Sequence, residues 1–301
     1  MNRKWREQHE RGSASAIRLI RWIALHLGRT PTRLLLHPIT AYFLLTSSEG
    51  RRCSRQFLAR ATGKPPNLWN IARHIHSFAS TILDRVYFCT DRFQYFDLQV
   101  HGHDMFDETM AQGSGCILLG SHLGSFEVLR MLALSHKRLP LKVLMDKERS
   151  ETITRLLEAL NPEIADSVIS PGTPDVLLKV HEHLERGGMV GMLGDRTVPQ
   201  DRVVHCRFFE RDAPFPAAPF LLASVLKVPV ILFFGLYRGG NRYDIHFEKL
   251  ANRITVRRGR READARHWAQ QYAARLESHA RRAPYNWFNF YDFWPDDIHH
   301  G

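Results

Sequence analysis

From about residue 100 onward the chain alternates short, almost purely apolar runs with longer stretches of helical periodicity. That alternation restricts it to an α/β fold with a mostly parallel central sheet covered by helices. Strands are expected at 115–120, 141–145, 166–170, 188–194 and 228–237; runs such as Cys116-Ile-Leu-Leu-Gly120 lack a polar face, as strands buried on both sides do. Residues 242–248 alternate cleanly, which predicts an antiparallel strand. Helices fill the gaps at 124–135, 151–160, 173–186, 216–226 and 262–281, and the run Arg257, Arg258, Arg260, Arg261 reads as a solvated loop before the last of them. Upstream, Leu68, Ile71, Ile75, Phe78, Ile82 and Val86 recur at three- and four-residue steps, so 66–87 is read as a helix leading towards the sheet.

The first sixty residues differ in character. They carry twelve Lys/Arg against three acids, most of the formal +11 of the 301-residue chain. Arg18 and Arg21 sit among Ile17, Leu19, Ile20, Trp22, Ile23, Leu25 and Leu27, a basic amphipathic helix. After a break at Gly28 to Pro31, residues 34–46 form a second apolar run, shorter than the about 20 residues a spanning helix needs and interrupted by Pro38. The division read from this is 1–60 as membrane-associating helices and 61–301 as a catalytic domain; a helical hairpin packed on the protein's own core is the plainer reading of the first part. The positive charge predicts an anionic partner: nucleic acid, an acidic lipid surface or an acidic carrier protein. It sits beside Trp, Leu and Ile, and no nucleic-acid fold signature accompanies it, so nucleic acid is not expected. The cysteines are scattered without a C-x-x-C pair, which suggests neither metal cluster nor disulfide framework and fits a reducing compartment. No signal peptide is visible.

The candidate site follows the first strand, in Gly120-Ser-His-Leu-Gly-Ser-Phe-Glu127. On one continuous helix His122 and Glu127 would point roughly 140° apart, so they meet only if His122 ends the strand and a helix begins near Gly124. Gly124 and Ser125 suit such a turn and cap. A hydroxyl nucleophile needs a neutral His to take its proton and a carboxylate to hold the ring's tautomer, which is the chemistry a His/Glu pair offers. The same spacing occurs at His103/Glu108 and His205/Glu210, but neither lies between an apolar strand and an apolar helix.

The segment around His122 resembles the His-x4-Asp/Glu motif of the lysophospholipid acyltransferase superfamily, in the branch of the late acyltransferases of lipid A assembly. Three further segments match in order: Gly191-Met-Leu-Gly194-Asp195-Arg196, the block Phe208 to Pro219, and Val228-Pro229-Val230. The resemblance covers roughly 60–295 and implies a glycerolipid acyltransferase-like fold. It also implies transfer of a fatty acyl group from acyl carrier protein or acyl-CoA to a hydroxyl of a lipid acceptor, at the cytoplasmic face of a bacterial inner membrane. His122 and Glu127 would be catalytic. Arg196, Asp195, Gly194, Ser125, Arg211 and Pro216 would be candidates for substrate binding or the oxyanion hole. The family's block usually carries Gly where this chain has Glu210, Arg211 and Ala217. No metal or nucleotide cofactor is implied. An ester hydrolase could use the same pair, although no Gly-x-Ser-x-Gly elbow accompanies the His. The aromatic segment Pro284 to Trp294 is read as the lining of an acyl groove or membrane interface, or equally as a strap packed on the sheet edge.

Overall fold

A computed structural model describes residues 22–129, 140–145, 167–171, 175–198 and 200–294. Its seven-stranded sheet has the order β1-β9-β8-β2-β5-β3-β4: β1 (Asp97–His101), β2 (Cys116–Gly120), β3 (Leu141–Leu144), β4 (Val168–Ile169), β5 (Met189–Leu193), β8 (Val230–Gly239) and β9 (Arg242–Ala251). Every neighbouring pair is parallel except β8 and β9, which run antiparallel as the alternation in 242–248 predicts.

The central strands sort their side chains by period 2 into two cores. Ile117, Leu119, Leu232 and Phe234 face one way and pack against Ala269, Tyr272 and Leu276 of the Arg261–Arg282 helix, with Phe220 and Ala223 of the Ala218–Leu226 helix and Leu184 of the Val176–Glu185 helix. Leu118, Ile231 and Phe233 face the other way, with Val128, Leu129, Phe88 and Phe106. Burying each such side chain contributes about 1.5–3 kcal/mol, so β2, buried at all five positions, is fixed in the middle of the sheet.

Several boundaries move for simple reasons. The strand expected at 228–237 begins at Val230, because Pro229 has no N–H to give; its carbonyl instead accepts from Ile117 N at 2.9 Å. The strand expected at 166–170 is reduced to Val168–Ile169. Edge strand β1 exposes three of its five residues and carries too weak an apolar signal to be read. Residues 203–216, read only as a binding block, form a separate antiparallel hairpin, β6 (Val203–Phe208) with β7 (Arg211–Pro216). The helix expected at 124–135 is described only at 128–129; the basic amphipathic helix expected at 15–27 is helical over 22–27, its earlier residues lying outside the described ones, as does all of 151–160.

The Leu68–Cys89 helix starts with a capping box between Asn67 and Asn70. The helices Leu36–Thr46 and Ser48–Thr62 pack beside it, and Phe57, Leu58 and Ala61 enter the same core as the sheet. Arg29 ties the first turns to the sheet by a bidentate pair with buried Asp84 at 2.8 and 2.9 Å, and Tyr243 on β9 donates to the same carboxylate at 2.8 Å. No helix among the described residues is long and apolar enough to cross a membrane.

Candidate active site

Parallel strands β2 and β5 pair with Gly120 opposite Leu193. Two residues beyond each strand end stand His122 and Asp195, so the register alone sets them side by side at the carboxyl edge of the sheet, where open α/β sheets place ligands. His122 Nδ1 donates to Asp195 Oδ1 at 2.8 Å, and His122 N–H donates to Oδ2 at 2.9 Å. Trp287 Nε1 donates to the same Oδ2 at 3.0 Å. Burial by itself would raise the Asp195 carboxyl, but His122 with its hydrogen bonds and the Arg196 charge outweigh it and hold it at about 2. Asp195 is therefore an ionised acceptor, and it fixes the proton of the neutral ring on Nδ1. Nε2 is left with a lone pair. Desolvation and then the Arg196 charge hold the imidazole below its ordinary value against the pull of Asp195, so the ring is neutral at neutral pH. Its side chain is 29% exposed while that of Asp195 is 1% exposed, so a reactant can reach the imidazole but not the carboxylate.

The loop after β2 is shaped by close backbone approach. Gly124 adopts φ 79°, and a Cβ there would lie against the Gly235 carbonyl, whose oxygen accepts from Ser125 N–H at 2.8 Å. The tight turn expected at Gly124-Ser125 is present, but the path of the chain beyond it departs from expectation. Glu127 does not turn back to the imidazole. Its Oε1 pairs with Arg85 Nε at 2.7 Å and its Oε2 accepts from Ser125 Oγ at 3.1 Å, and no hydrogen bond among the described residues joins it to His122. The physical reason is the turn itself: with Ser125 bound to β8, the chain is carried away from the strand end before helical residues begin at 128.

The remaining candidates separate. Arg196 reaches across the site, with Nη2 donating to Phe288 O at 2.8 Å and the guanidinium over the Tyr291 ring. Gly194 N–H is spent on Gly120 O at 3.1 Å, and the Ser125 hydroxyl on Glu127. Arg211 is exposed beside the hairpin turn and Pro216 ends β7 opposite Val203; no hydrogen bond among the described residues connects either to His122. The hairpin instead packs under the site, Phe208 and Phe215 meeting the Trp287 and Phe293 rings.

The aromatic segment is the strap of the two readings. Trp287, Phe288, Phe293 and Trp294 are buried, Trp287 bridges to Leu123 in antiparallel fashion, and Phe288 N–H donates to His122 O at 3.0 Å. The strap thus locks the backbone at and just after His122 and delivers Trp287 to Asp195. Neither Trp287 nor Arg85 is singled out by the sequence, because each acts through a partner more than forty positions away.

Metal-capable donors among the described residues gather elsewhere, at His101, Asp244 and His246 on β1 and β9, two and three strands from β2; the Asp244 carboxylate is engaged by Arg238 Nε at 2.6 Å. A family model described as bacterial lipid A biosynthesis acyltransferase matches residues 8–295. No curated protein matches the chain.

Proposed function

The chain belongs to the bacterial lipid A biosynthesis acyltransferase family, an acyltransferase family, and on that premise we propose that it moves a fatty acyl group from an acyl thioester to a lipid hydroxyl with His122 as general base. The observation that carries this reading is the 2.8 Å contact from His122 Nδ1 to buried Asp195, which leaves Nε2 as a proton acceptor in an opening at the sheet edge. In this mechanism the acceptor hydroxyl gives its proton to Nε2 while its oxygen attacks the thioester carbonyl carbon. The oxyanion that forms is met by the N–H groups of Arg196 not bound to Phe288. Backbone donors are scarce, since the N–H groups of His122, Leu123, Gly124, Ser125 and Gly194 all have acceptors already. Collapse expels the thiolate, which takes the proton back from His122. Asp195 stabilises the imidazolium in between, the work that the spacing in the sequence assigns to Glu127. Glu127 holds Arg85 at the site instead.

The acyl donor of this reading is acyl carrier protein or acyl-CoA, and an acidic carrier suits the basic chain. The first sixty residues serve as the membrane-associating part: Leu34 is 65% exposed, and on the next helix Tyr42 and Leu45 are 51% and 77% exposed, a stripe of the kind that lies in a headgroup layer. The site of action is then the cytoplasmic face of the inner membrane.

The test is acyl transfer from radiolabelled acyl carrier protein, or acyl-CoA, to a bacterial lipid extract. Wild type labels a lipid, and His122→Ala loses about 10²-fold or more, the scale of a general base. Equal labelling by a correctly folded His122→Ala overturns the assignment.

A further inference from the structure

A second polar cleft opens between the N-terminal helices and the turn joining β8 to β9. It encloses about 550 Å³, and its lining includes Arg29, Arg33, His37 and His76 but no carboxylate. The charge of Arg29 is already answered by Asp84. Arg33 makes no ion pair among the described residues: its Nη1 donates to Gly240 O and its Nη2 to Tyr237 Oη, both neutral, each at 2.9 Å. His37 and His76 stack with ring centroids 5.1 Å apart. His76 Nδ1 meets Thr40 Oγ1 at 3.2 Å, while its Nε2 and both nitrogens of His37 have no hydrogen-bond partner among the described residues.

A guanidinium and two imidazoles, presented by three different helices, thus face one cavity with no carboxylate in its lining. We propose that this cleft is an anion-binding site whose ligand is a phosphate group, held by Arg33, His37 and His76. Three convergent donors, one guanidinium and two imidazoles, match the three terminal oxygens of a phosphate monoester, and inorganic phosphate can present the same three-oxygen face, where a planar carboxylate offers two. Burial, and then the His37 and Arg33 charges, hold the His76 imidazole below its ordinary value, a repulsion that a bound anion relieves.

A chain of contacts also runs from the cleft to the loop that carries His122. Tyr237, which anchors Arg33, stands two residues beyond Gly235 on β8, about 7 Å along the strand, and Gly235 lies alongside Gly124. Tyr237 N–H donates to Asn286 Oδ1 at 2.7 Å, and the carbonyl of Asn286 accepts from Gly124 N–H at 2.8 Å. Exposed Leu34 on the rim suits a phosphate carried by a lipid; a free phosphate ion presents the same chemistry.

The experiment measures binding of the full chain to inorganic phosphate by calorimetry. In parallel it measures flotation with phosphatidylcholine vesicles containing phosphatidic acid, against vesicles of matched charge containing fatty-acid carboxylate. Wild type is expected to prefer the phosphate ligand, with the double variant His37→Gln/His76→Gln, and separately Arg33→Gln, losing about tenfold. The carboxylate vesicles should be bound alike by all three proteins. A preference confined to phosphatidic acid vesicles assigns a lipid phosphate, and calorimetric binding of the ion alone assigns free phosphate. The proposal is overturned if wild type shows no preference for phosphate in either arm, or if the variants keep it. Because no acyl transfer is read, and His122→Ala should bind as wild type, this proposal and the acyltransferase reading fail separately.

Discussion

In the proposed mechanism His122 acts as a base because its two ring nitrogens are treated differently. Nδ1 is tied to a carboxylate held at about 2, and Nε2 faces the opening. Desolvation together with Arg196 holds the imidazole below its ordinary value, and in the proposed mechanism the basic form is the active one. Acyl-transfer kcat/KM should therefore rise with pH and level off, with an apparent pKa below the ordinary His value of about 6.5; a profile still climbing above that value contradicts the neutral-base assignment. The sequence points to His122 through its place after an apolar strand. It also marks Asp195, though without its role, because the partnership depends on β2 pairing with β5, and strand order is not written in any local pattern. Glu127 is the natural partner by spacing alone, and the Ser125 bond to Gly235 is the long-range contact that redirects it.

Among the elements, the β6–β7 hairpin carries a visible conflict between residue type and backbone. Its two turn residues, Phe209 and Glu210, both have positive φ, 50° and 63°, in a turn class that favours Asn and Gly. Phe209 is held there by its ring, packed on Phe57 and Phe208, and by its N–H donating to Glu277 Oε2 at 2.6 Å. Glu210 is exposed and has no hydrogen bond among the described residues, so its strain is uncompensated. Glu210→Gly should stabilise the protein by about 1 kcal/mol, the cost of a side chain in the left-handed region, seen as a higher midpoint in urea unfolding; an unchanged or lower midpoint contradicts this. The sequence shows Glu210 and Arg211 where the related block usually carries Gly, so the site of strain is legible there even though the hairpin is not. The Leu68–Cys89 helix is more legible than the edge strands because apolar periodicity marks it locally.

On the scale of the whole molecule, the strap and the Leu68–Cys89 helix are joined through His74. It is fully buried, Nε2 donating to Trp287 O at 2.9 Å and Nδ1 accepting from Ser54 Oγ at 2.9 Å. Burial pushes its imidazole down to about 4 against the opposing Trp287 hydrogen bond. A His lowered on folding contributes stability that is complete above its unfolded value of about 6.5 and is lost as pH falls towards 4. His74 should thus withdraw on the order of 3 kcal/mol of stability across that interval, and His246, also near 4, adds in the same direction. Urea unfolding at pH 7 and pH 4.5 checks this: the fall between them should be smaller in His74→Gln than in wild type, and an equal fall in both proteins would remove His74 as the cause. The same residues that anchor the strap thereby set the acid limit of the fold that positions Trp287 and Asp195.

The division of labour between the two carboxylates is tested most directly by kcat for acyl transfer in Asp195→Asn beside Glu127→Gln. Trp287 Nε1–H and the His122 N–H converge on Asp195 Oδ2, so the amide oxygen of the replacement takes that place and its NH₂ faces His122 Nδ1. The ring is forced into the tautomer that carries its proton on Nε2, where it can no longer accept one. Asp195→Asn is expected to lose roughly 10²–10⁴ in kcat while staying folded, on the scale of a mispositioned catalytic His, and Glu127→Gln to lose less than about tenfold. Near-wild-type turnover in Asp195→Asn with a collapse in Glu127→Gln would contradict it and give the orienting role back to Glu127.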